Sequence, residues 1–426
     1  MRSRSHAPTL QRSESAQPST GQASVPQLPK SAQKTFGISS QSAAKQHRLA
    51  QSPLAQWVAL GKTALWVLFW LTLIDIGINH LFAYPEGNER TPNTLERYFN
   101  YGRSTEGKLQ RMVQDTVENS APILEAGWID PQDWRSLPSE PKDDNDLLMA
   151  VYGMSFSYDI STALSELDNN ITLRRIGAPS APPSHSYAAY LADEAGRNAD
   201  VVMMGVLASS IKRMRSVSGM SWNYEHPAPY TYPHYHLNSA GELVATEPAI
   251  STAADFVSAF NSQSKPWQHL QQQMAEYDSV FDPAIFNENW TDKSSLFRLI
   301  RRGWANRTRQ RSDYGIYDTA TGFNPEAPEM KTLEVMLTNF VATARAADQL
   351  PIILIISDPG FDNSLYEILS PHLQTLDALS LSTYELVPTD NPDNFMPDTH
   401  LTPAANRKVA SALQEMIASA KETTQK

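Results

Sequence analysis

The chain has no cysteine among its 426 residues. The absence of thiols excludes a disulfide framework and every metal site built on cysteine ligands. It does not select a cellular compartment, because many exported domains also lack cysteine.

Residues 1–52 contain few apolar side chains and consist mainly of Ser, Gln, Ala and Pro with scattered basic residues. A segment of this composition buries too little apolar surface to offset the conformational entropy that folding removes. We therefore predict a disordered tail over residues 1–52.

Positive charge is scarce after residue 82, because residues 83–426 carry 27 basic and 44 acidic side chains, a net charge of −17. Such a surface is poorly suited to nucleic acid or to anionic lipid. The charge argues against a nucleic-acid partner and favours a neutral or sparsely charged substrate.

One long apolar run stands out from this polar composition, between Thr63 and Phe82. A helix rises about 1.5 Å per residue, so a transmembrane helix over residues 57–83 is long enough to cross roughly 30 Å of hydrocarbon. Asp75 lies within the run, where a carboxylate is costly. Either the span is shifted toward its start, with Asp75 near the far interface, or Asp75 marks contact with a partner membrane protein.

The segment before this run is basic, with eight Lys or Arg residues against one acid, Glu14, in residues 1–62. By the positive-inside rule this segment stays in the cytoplasm, and everything after Phe82 lies outside. The leading segment is too long for a cleaved signal peptide. We expect a single-pass protein of the plasma (inner) membrane with a periplasmic or otherwise extracytoplasmic domain.

Beyond the span, residues 84–145 are predicted to form a helical neck and a Pro-rich linker, and residues 146–422 a domain of alternating strands and helices. Such alternation is typical of a parallel sheet. The predicted strands are 147–152, 171–176, 201–204, 352–356 and 384–387. The predicted helices are 159–167, 187–195, 333–344, 365–376 with an interruption at Pro371, and a last one that begins at Pro403. The stretch 211–325 breaks the alternation.

Two short segments, far apart in sequence, carry the residue types of a serine nucleophile site. Gly153-Met154-Ser155-Phe156-Ser157 follows the first strand, and Asp398-Thr399-His400 precedes the last helix. A serine hydroxyl needs an imidazole to take its proton and a carboxylate to orient that imidazole. The pattern predicts Ser155 as nucleophile, His400 as base and Asp398 as the residue that orients it.

In this order, the serine turn, a glycine after the second strand (Gly177), a glycine-containing turn after the third (Gly205) and Asp-Thr-His-Leu-Thr resemble the SGNH/GDSL hydrolase superfamily. The Asp-x-His form and the membrane span resemble its branch of alginate O-acetyltransferase-type periplasmic proteins. The resemblance covers roughly residues 145–420 and implies a three-layer α/β/α sandwich. It also implies an oxyanion hole that includes Ser155, Gly177 and Gly205.

Two positions depart from the superfamily's pattern. Met154 stands where Gly-Asp-Ser has aspartate, and Leu207 stands where the third block has an asparagine that donates to the oxyanion. The loss of one oxyanion donor typically costs about 10²–10³ in rate. Ser209 and Asn223 are candidate replacements; the alternative is a slow, specialised or inactive protein.

An aromatic and Pro-rich run covers residues 222–236 and includes three histidines, at 226, 234 and 236. The run permits a metal site, an aromatic hairpin packed over the sheet, or sugar stacking by Tyr230 and Tyr232. We predict substrate binding by the two tyrosines and no metal.

A second group of residues, charged rather than aromatic, follows in the sequence. The basic residues Lys293, Arg298, Arg301 and Arg302 are interpreted as a solvated helix face, with an anionic-sugar site as the alternative. Asp358 follows a predicted strand and is expected at the same sheet edge as Ser155.

The sequence therefore predicts an O-acyl (first of all O-acetyl) esterase or transferase that uses Ser155 and acts on a cell-surface polysaccharide, with no cofactor. A transferase would need a multispan membrane acyltransferase as partner to deliver the acyl group. The alternative is a non-catalytic binding or assembly component of a polysaccharide-modification complex that keeps the same fold.

Overall fold

The computed structural model describes residues 53–85, 91–115, 122–144, 146–313, 315–376 and 378–424. The tail predicted over residues 1–52 lies outside the described residues. By its internal contacts the chain divides between Ala64 and Leu65, and the part from Leu65 onward forms one compact unit.

A five-stranded parallel sheet, in the order β2-β1-β3-β8-β9, lies at the centre of this unit. Two-stranded antiparallel hairpins, β4-β5 and β6-β7, lie outside it. The strands are β1 Leu147–Gly153, β2 Ile171–Gly177, β3 Val201–Leu207, β4 His234–Leu237, β5 Leu243–Thr246, β6 Tyr317–Asp318, β7 Gly322–Phe323, β8 Leu350–Ile356 and β9 Leu379–Ser382.

Helices surround the sheet and fill the segments before and between its strands. They are α1 Pro53–Leu81, α2 Thr94–Asn100, α3 Thr105–Asp115, α4 Pro122–Glu125, α5 Ser155–Leu167, α6 Pro183–Ala192, α7 Gly219–Trp222, α8 Ala253–Ser262, α9 Lys265–Tyr277, α10 Pro283–Phe286, α11 Ser295–Asp313, α12 Pro328–Ala346, α13 Ser364–Thr375, α14 Thr383–Leu386 and α15 Pro403–Thr424.

The domain has the three layers expected of an α/β/α sandwich. The side chains of β1 alternate between the two faces of the sheet, so that Met149 packs with α5 and α15 while Leu148 packs with α6, α12 and α13. Strands β1, β3 and β8 are buried along almost their whole length, which explains their continuous apolar sequences. The predicted α/β class with a parallel sheet is confirmed.

The strand order reverses direction at β1. Strand β2 flanks β1 on one side and β3 flanks it on the other, so the chain leaves the centre of the sheet in both directions. In open α/β sheets such a reversal leaves a crevice outside the carboxyl ends of the strands, where ligands bind. The turn that carries Ser155 follows β1 at this place.

Two local predictions at the edge of the sheet are wrong. The fifth strand is β9, not residues 384–387, and the latter fall largely in α14, where the Ser382 hydroxyl accepts a hydrogen bond from the Tyr384 N–H (3.2 Å) and caps the helix. Helix α13 also continues through Pro371 instead of being interrupted there.

Helix α1 contains a stretch, Trp57–Leu81, that is long and apolar enough to cross a membrane, and none of its most apolar window is buried by the other residues that the structure describes. Asp75 has a partner within its own chain, because Oδ1 accepts a hydrogen bond from the backbone N–H of Leu296 in α11 (2.9 Å). The predicted neck, residues 84–145, contains α2, α3 and α4.

Candidate active site

Ser155 lies where strand β1 passes into helix α5, with one residue between the two elements. Gly153 ends the strand, Met154 is extended (φ −125°, ψ −173°), and Ser155 is the first residue of the helix. The first N–H groups of a helix have no partner within it and carry partial positive charge. The Ser155 hydroxyl therefore stands beside donors suited to a developing negative charge.

Gly177 ends β2, whereas Gly205 lies within β3, before Val206 and Leu207, so the glycine-containing turn predicted after the third strand is wrong. Both glycines permit the close approach of neighbouring groups. A Cβ atom at Gly177 would lie 2.0 Å from the carbonyl oxygen of Gly153, and a Cβ atom at Gly205 would lie 1.9 Å from the Ser157 hydroxyl. Both contacts are far below van der Waals distance, so no larger residue fits without a shift of the backbone or of Ser157. The glycines noted in the sequence are thus required by packing at the β1 edge.

His400 contacts Ser155 at the carboxyl end of β1. The Ser155 Oγ and His400 Nε2 atoms are 2.6 Å apart, a short hydrogen bond between residues that are distant in sequence. The ring of Phe156 stacks on the imidazole, with centroids 4.8 Å apart and planes at 19°. Phe156 therefore supports the histidine ring in the orientation that points Nε2 at the hydroxyl.

Asp398 is close to His400 but does not hold its ring by a hydrogen bond. Its Oδ2 atom is 3.4 Å from Nδ1, and Nδ1 is buried with no hydrogen-bond partner among the described residues. The other oxygen accepts from the His400 backbone N–H at 3.2 Å. The side chain of Asp398 is 65% exposed, and hydrogen bonds of catalytic groups are often long until substrate binds.

The segment that carries Asp398 and His400 forms a tight turn. Thr399 has a left-handed backbone (φ 73°), and the Met396 N–H donates to the His400 carbonyl at 2.7 Å. A left-handed residue costs a non-glycine side chain some strain and is most often kept where geometry matters. Here it turns the flanking aspartate and histidine toward one site.

Leu207, which stands where an oxyanion donor was expected, does not supply a polar group. Its side chain is buried in the core below the crevice. Of the two replacement candidates, Ser209 uses its backbone N–H to donate to Asp358 Oδ1 (3.1 Å), and Asn223 ends helix α7. Burial raises the pKa of Asp358, against the opposing effect of the Ser209 hydrogen bonds.

Arg213 is a residue of this region that the sequence reasoning missed. Its Nη1 donates to the carbonyl of Ser180, just beyond the Gly177 turn (2.7 Å), and its guanidinium lies over the ring of Trp222 (4.2 Å). Burial lowers its pKa. The only signal in the sequence was a cluster of basic residues after β3.

A cleft of about 230 Å³ opens beside Arg213. Neither Ser155 nor His400 lines it, and its walls carry both charge signs. The residues that line it are Ser209, Lys212, Arg213, Ser216, Trp222, Asp278, Ser279, Val280, Arg309, Ser312 and Asp313.

Tyr230 and Tyr232 do not present open ring faces, because both side chains are fully buried. The Tyr230 hydroxyl donates to the carbonyl of Pro179 (2.8 Å), and that of Tyr232 donates to the carbonyl of Arg213 (3.1 Å). Burial raises the pKa of both phenols. This placement argues against the predicted sugar stacking, because a ring face inside the core cannot contact a sugar.

The three histidines of the same run have separate surroundings. His226 packs edge-on to Tyr101, whereas His234 and His236 lie on β4 with stacked rings, and His234 also stacks on Tyr277. Burial lowers the pKa of His234 to about 4. Among the residues that the structure describes, no group of three or more His, Asp or Glu side chains forms a candidate metal site.

The arrangement brings together a hydroxyl, an imidazole and the free end of a helix at the crevice of a parallel sheet. These are the parts needed to form and stabilise a covalent acyl intermediate. No protein-family profile matches the chain, and no curated protein is detectably similar to it.

Proposed function

We propose that the protein is a membrane-anchored, SGNH-type serine esterase or O-acyltransferase that acts on O-acyl groups, first of all acetyl, of a cell-surface polysaccharide. The observation that carries the proposal is the 2.6 Å contact between Ser155 Oγ and His400 Nε2 at the start of α5. A serine hydroxyl in an ordinary helix cap has no imidazole at this distance.

In the first half-reaction, Ser155 Oγ attacks the ester carbonyl while His400 Nε2 takes its proton. The tetrahedral intermediate collapses, the bond to the alcohol oxygen breaks, and the imidazolium returns the proton to the leaving alcohol. Ser155 then holds the acyl group as an ester. Asp398 stabilises the imidazolium, and its contact with Nδ1 shortens from 3.4 Å as positive charge develops there.

In the second half-reaction, His400 removes a proton from the acceptor, which attacks the acyl-enzyme and releases Ser155. Water as acceptor makes the protein an esterase, and a sugar hydroxyl makes it a transferase. Both outcomes use the same residues in the same roles, and neither requires a cofactor.

The oxyanion of each intermediate would be held by backbone N–H groups at the start of α5, with Ser155 itself first among them. Gly177, at the end of β2, and Gly205, within β3, are the further proposed contributors, since these two strands flank β1. Leu207 offers no side-chain donor, so the proposed hole depends on backbone groups.

The proposed substrate follows from charge and access. The net charge of −17 over residues 83–426 favours a neutral or sparsely charged glycan over a polyanion. His400 and Asp398 are partly open to solvent, as a site that acts on a polymer requires.

For location, we propose a cytoplasmic N-terminus and an extracytoplasmic catalytic domain, from the eight-to-one basic excess before Thr63. A transferase in this position would receive its acyl group from a multispan membrane acyltransferase.

A second function, a non-catalytic binding or assembly component, is favoured by one observation. The position of the expected oxyanion side chain is held by Leu207, which is buried and apolar. A protein that keeps the fold for glycan binding has no use for that donor.

Fluorophosphonate labelling of the full-length protein in detergent distinguishes the two functions. The reagent forms a covalent bond to a serine activated by a histidine, so the catalytic proposal expects labelling of wild type and none of Ser155→Ala. Ser157→Ala is the matched control, because that buried hydroxyl is two residues away and packs at Gly205 instead of at His400. Absence of label in correctly folded wild type, or label that persists in Ser155→Ala, would contradict catalysis by Ser155.

A further inference from the structure

Helix α11 has an apolar stripe on its exposed face. Phe297, Ile300 and Trp304 follow the spacing i, i+3, i+7 and are 43%, 64% and 59% exposed. Trp290, 69% exposed, packs edge-on against Phe297 (centroids 5.2 Å apart) and widens the patch. Clustered, exposed aromatic side chains of this size mark an interaction surface.

The opposite face of α11 carries its charges inward. Arg298 and Arg301 are buried, and Arg301 pairs with the buried carboxylate of Asp292. Arg302 pairs with Glu225 at 2.7 Å. The solvated basic face predicted from the sequence is therefore wrong for these three arginines, since the first half of the helix turns its cations toward the protein and apolar residues outward, the reverse of an ordinary surface helix.

Hydrogen bonds join the start of α11 to the apolar helix α1. Asp75 Oδ1 accepts from the Leu296 N–H at 2.9 Å, and Asn79 Oδ1 accepts from the Ser295 hydroxyl at 2.9 Å. Arg298 also donates to Asn79 Oδ1. The carboxylate stands at a helix N-terminus, where negative charge is stabilising. The exposed stripe thus begins beside the last turns of the candidate membrane span.

The exposed stripe of α11 changes from apolar to basic along the helix. Arg307 and Arg311 continue the same spacing after Trp304 and are exposed. Trp favours the boundary between headgroups and acyl chains, and Phe is common on the apolar face of helices that lie there, while arginine side chains reach from that depth to phosphate groups. The first turns of α11 thus offer side chains suited to the lipid boundary, and its later turns offer side chains suited to the headgroups.

We propose that α11 lies in the interface of the membrane that α1 crosses, with Phe297, Ile300 and Trp304 inserted among the lipids. We take the occupant of this exposed face to be lipid. The stripe begins where α11 is hydrogen-bonded to α1, and the apolar side chains of α1 are themselves exposed. The Trp304 Nε1 donates to Asp282 Oδ2 (3.1 Å), which fixes this ring at the surface. The inference depends on the membrane span and not on the catalytic proposal.

The test uses the absence of cysteine, since any single-cysteine variant of the full-length chain can be labelled at one site. Ile300→Cys carries an environment-sensitive fluorophore in vesicles of phosphatidylcholine. Leu191→Cys is the matched control, because Leu191 is also an exposed apolar residue, in α6. Leu71→Cys, within α1, is the positive control. Quenching is measured with spin-labelled phosphatidylcholine and, separately, with aqueous iodide.

We expect lipid spin labels to quench the fluorophore at residues 300 and 71 several-fold more than at residue 191, and iodide to show the reverse order. Equal iodide quenching at residues 300 and 191 would overturn the proposal. Protection of residue 300 from both quenchers would also overturn it, because the face would then be covered by a second copy of the chain. Failure of lipid labels to quench residue 71 would remove the span and this inference with it, while leaving catalysis by Ser155 untouched.

Discussion

Acidification should destabilise the fold through His185, a histidine buried in the layer opposite α5. The side chain lies in α6 and is fully buried against the rings of Tyr230 and Tyr232. Its Nε2 donates to the carbonyl of Gly127 (2.7 Å), while Nδ1 has no hydrogen-bond partner in the part of the chain that the structure describes. Burial lowers the pKa of His185 from 6.5 to about 4, because the cation would be cut off from water, and the Gly127 hydrogen bond opposes this effect only in part.

The sign and size of the effect follow from linkage. The unfolded chain takes up a proton near pH 6.5 and the folded chain only near pH 4, so the stability contributed by His185 is complete above pH 6.5 and is lost as the pH falls toward 4. The difference between these pKa values corresponds to about 3 kcal/mol of unfolding free energy. A loss of this size is a large part of the stability of an ordinary domain.

The assay is guanidinium unfolding of the full-length protein in detergent, followed by near-ultraviolet circular dichroism, at intervals from pH 7 to pH 4. In His185→Gln the amide can still donate to Gly127 but cannot titrate, so its unfolding free energy should fall less steeply over this window. His234, whose pKa burial also lowers to about 4, is present in both proteins and cancels in the comparison. His269→Gln, on an exposed position of α9, serves as the control substitution. Parallel pH profiles of wild type and His185→Gln would refute the argument.

Three predictions concern the site and the topology. Ser155→Ala and His400→Ala should each abolish hydrolysis of a small acetyl ester. Asp398→Asn should leave residual activity, because the contact of Asp398 with the imidazole (3.4 Å) is longer than that of Ser155 (2.6 Å). Full activity of either alanine variant would refute the assignment. Leu207→Asn should destabilise the fold, because it places an amide in the apolar core, so circular dichroism must first show that the variant is folded. Its kcat should then change little if backbone donors complete the oxyanion hole, whereas a gain of about 10² or more would show that a donor is missing. A reporter active only outside the cytoplasm should work when fused after Lys426, and activity of a cytoplasm-only reporter at the same place would overturn the proposed topology.

The central sheet could be predicted because strands buried on both faces have continuous apolar sequences. β1, β3 and β8 have such sequences, and each was predicted to within a few residues. β9 has only Leu-Ser alternation and partial burial, so its pattern was too weak to place it. The start of α5 was predicted too late, because Met154 provides no side-chain cap to mark it.

The candidate site could be predicted in residue type but not in geometry. The sequence indicates that Ser155 and His400 have the chemistry of a nucleophile and its base. The distance between them depends on the packing of α15 against α5, which the sequence does not show. The burial of Tyr230 and the inward position of Arg298 were missed for a related reason. Aromatic and basic residues occur both in cores and on surfaces, and only tertiary contacts decide between these places.

The hydrogen bonds that Leu296 and Ser295 of α11 donate to Asp75 and Asn79 hold the domain against the candidate membrane span. A domain on an unstructured linker varies in its distance from the bilayer, whereas a domain hydrogen-bonded to its own membrane helix stays at one distance. Under the proposed function, Ser155 would then meet its substrate only within a thin layer parallel to the membrane. An acylated polymer would react only at the esters that pass through this layer. The choice among chemically identical esters would then depend on their distance from the membrane.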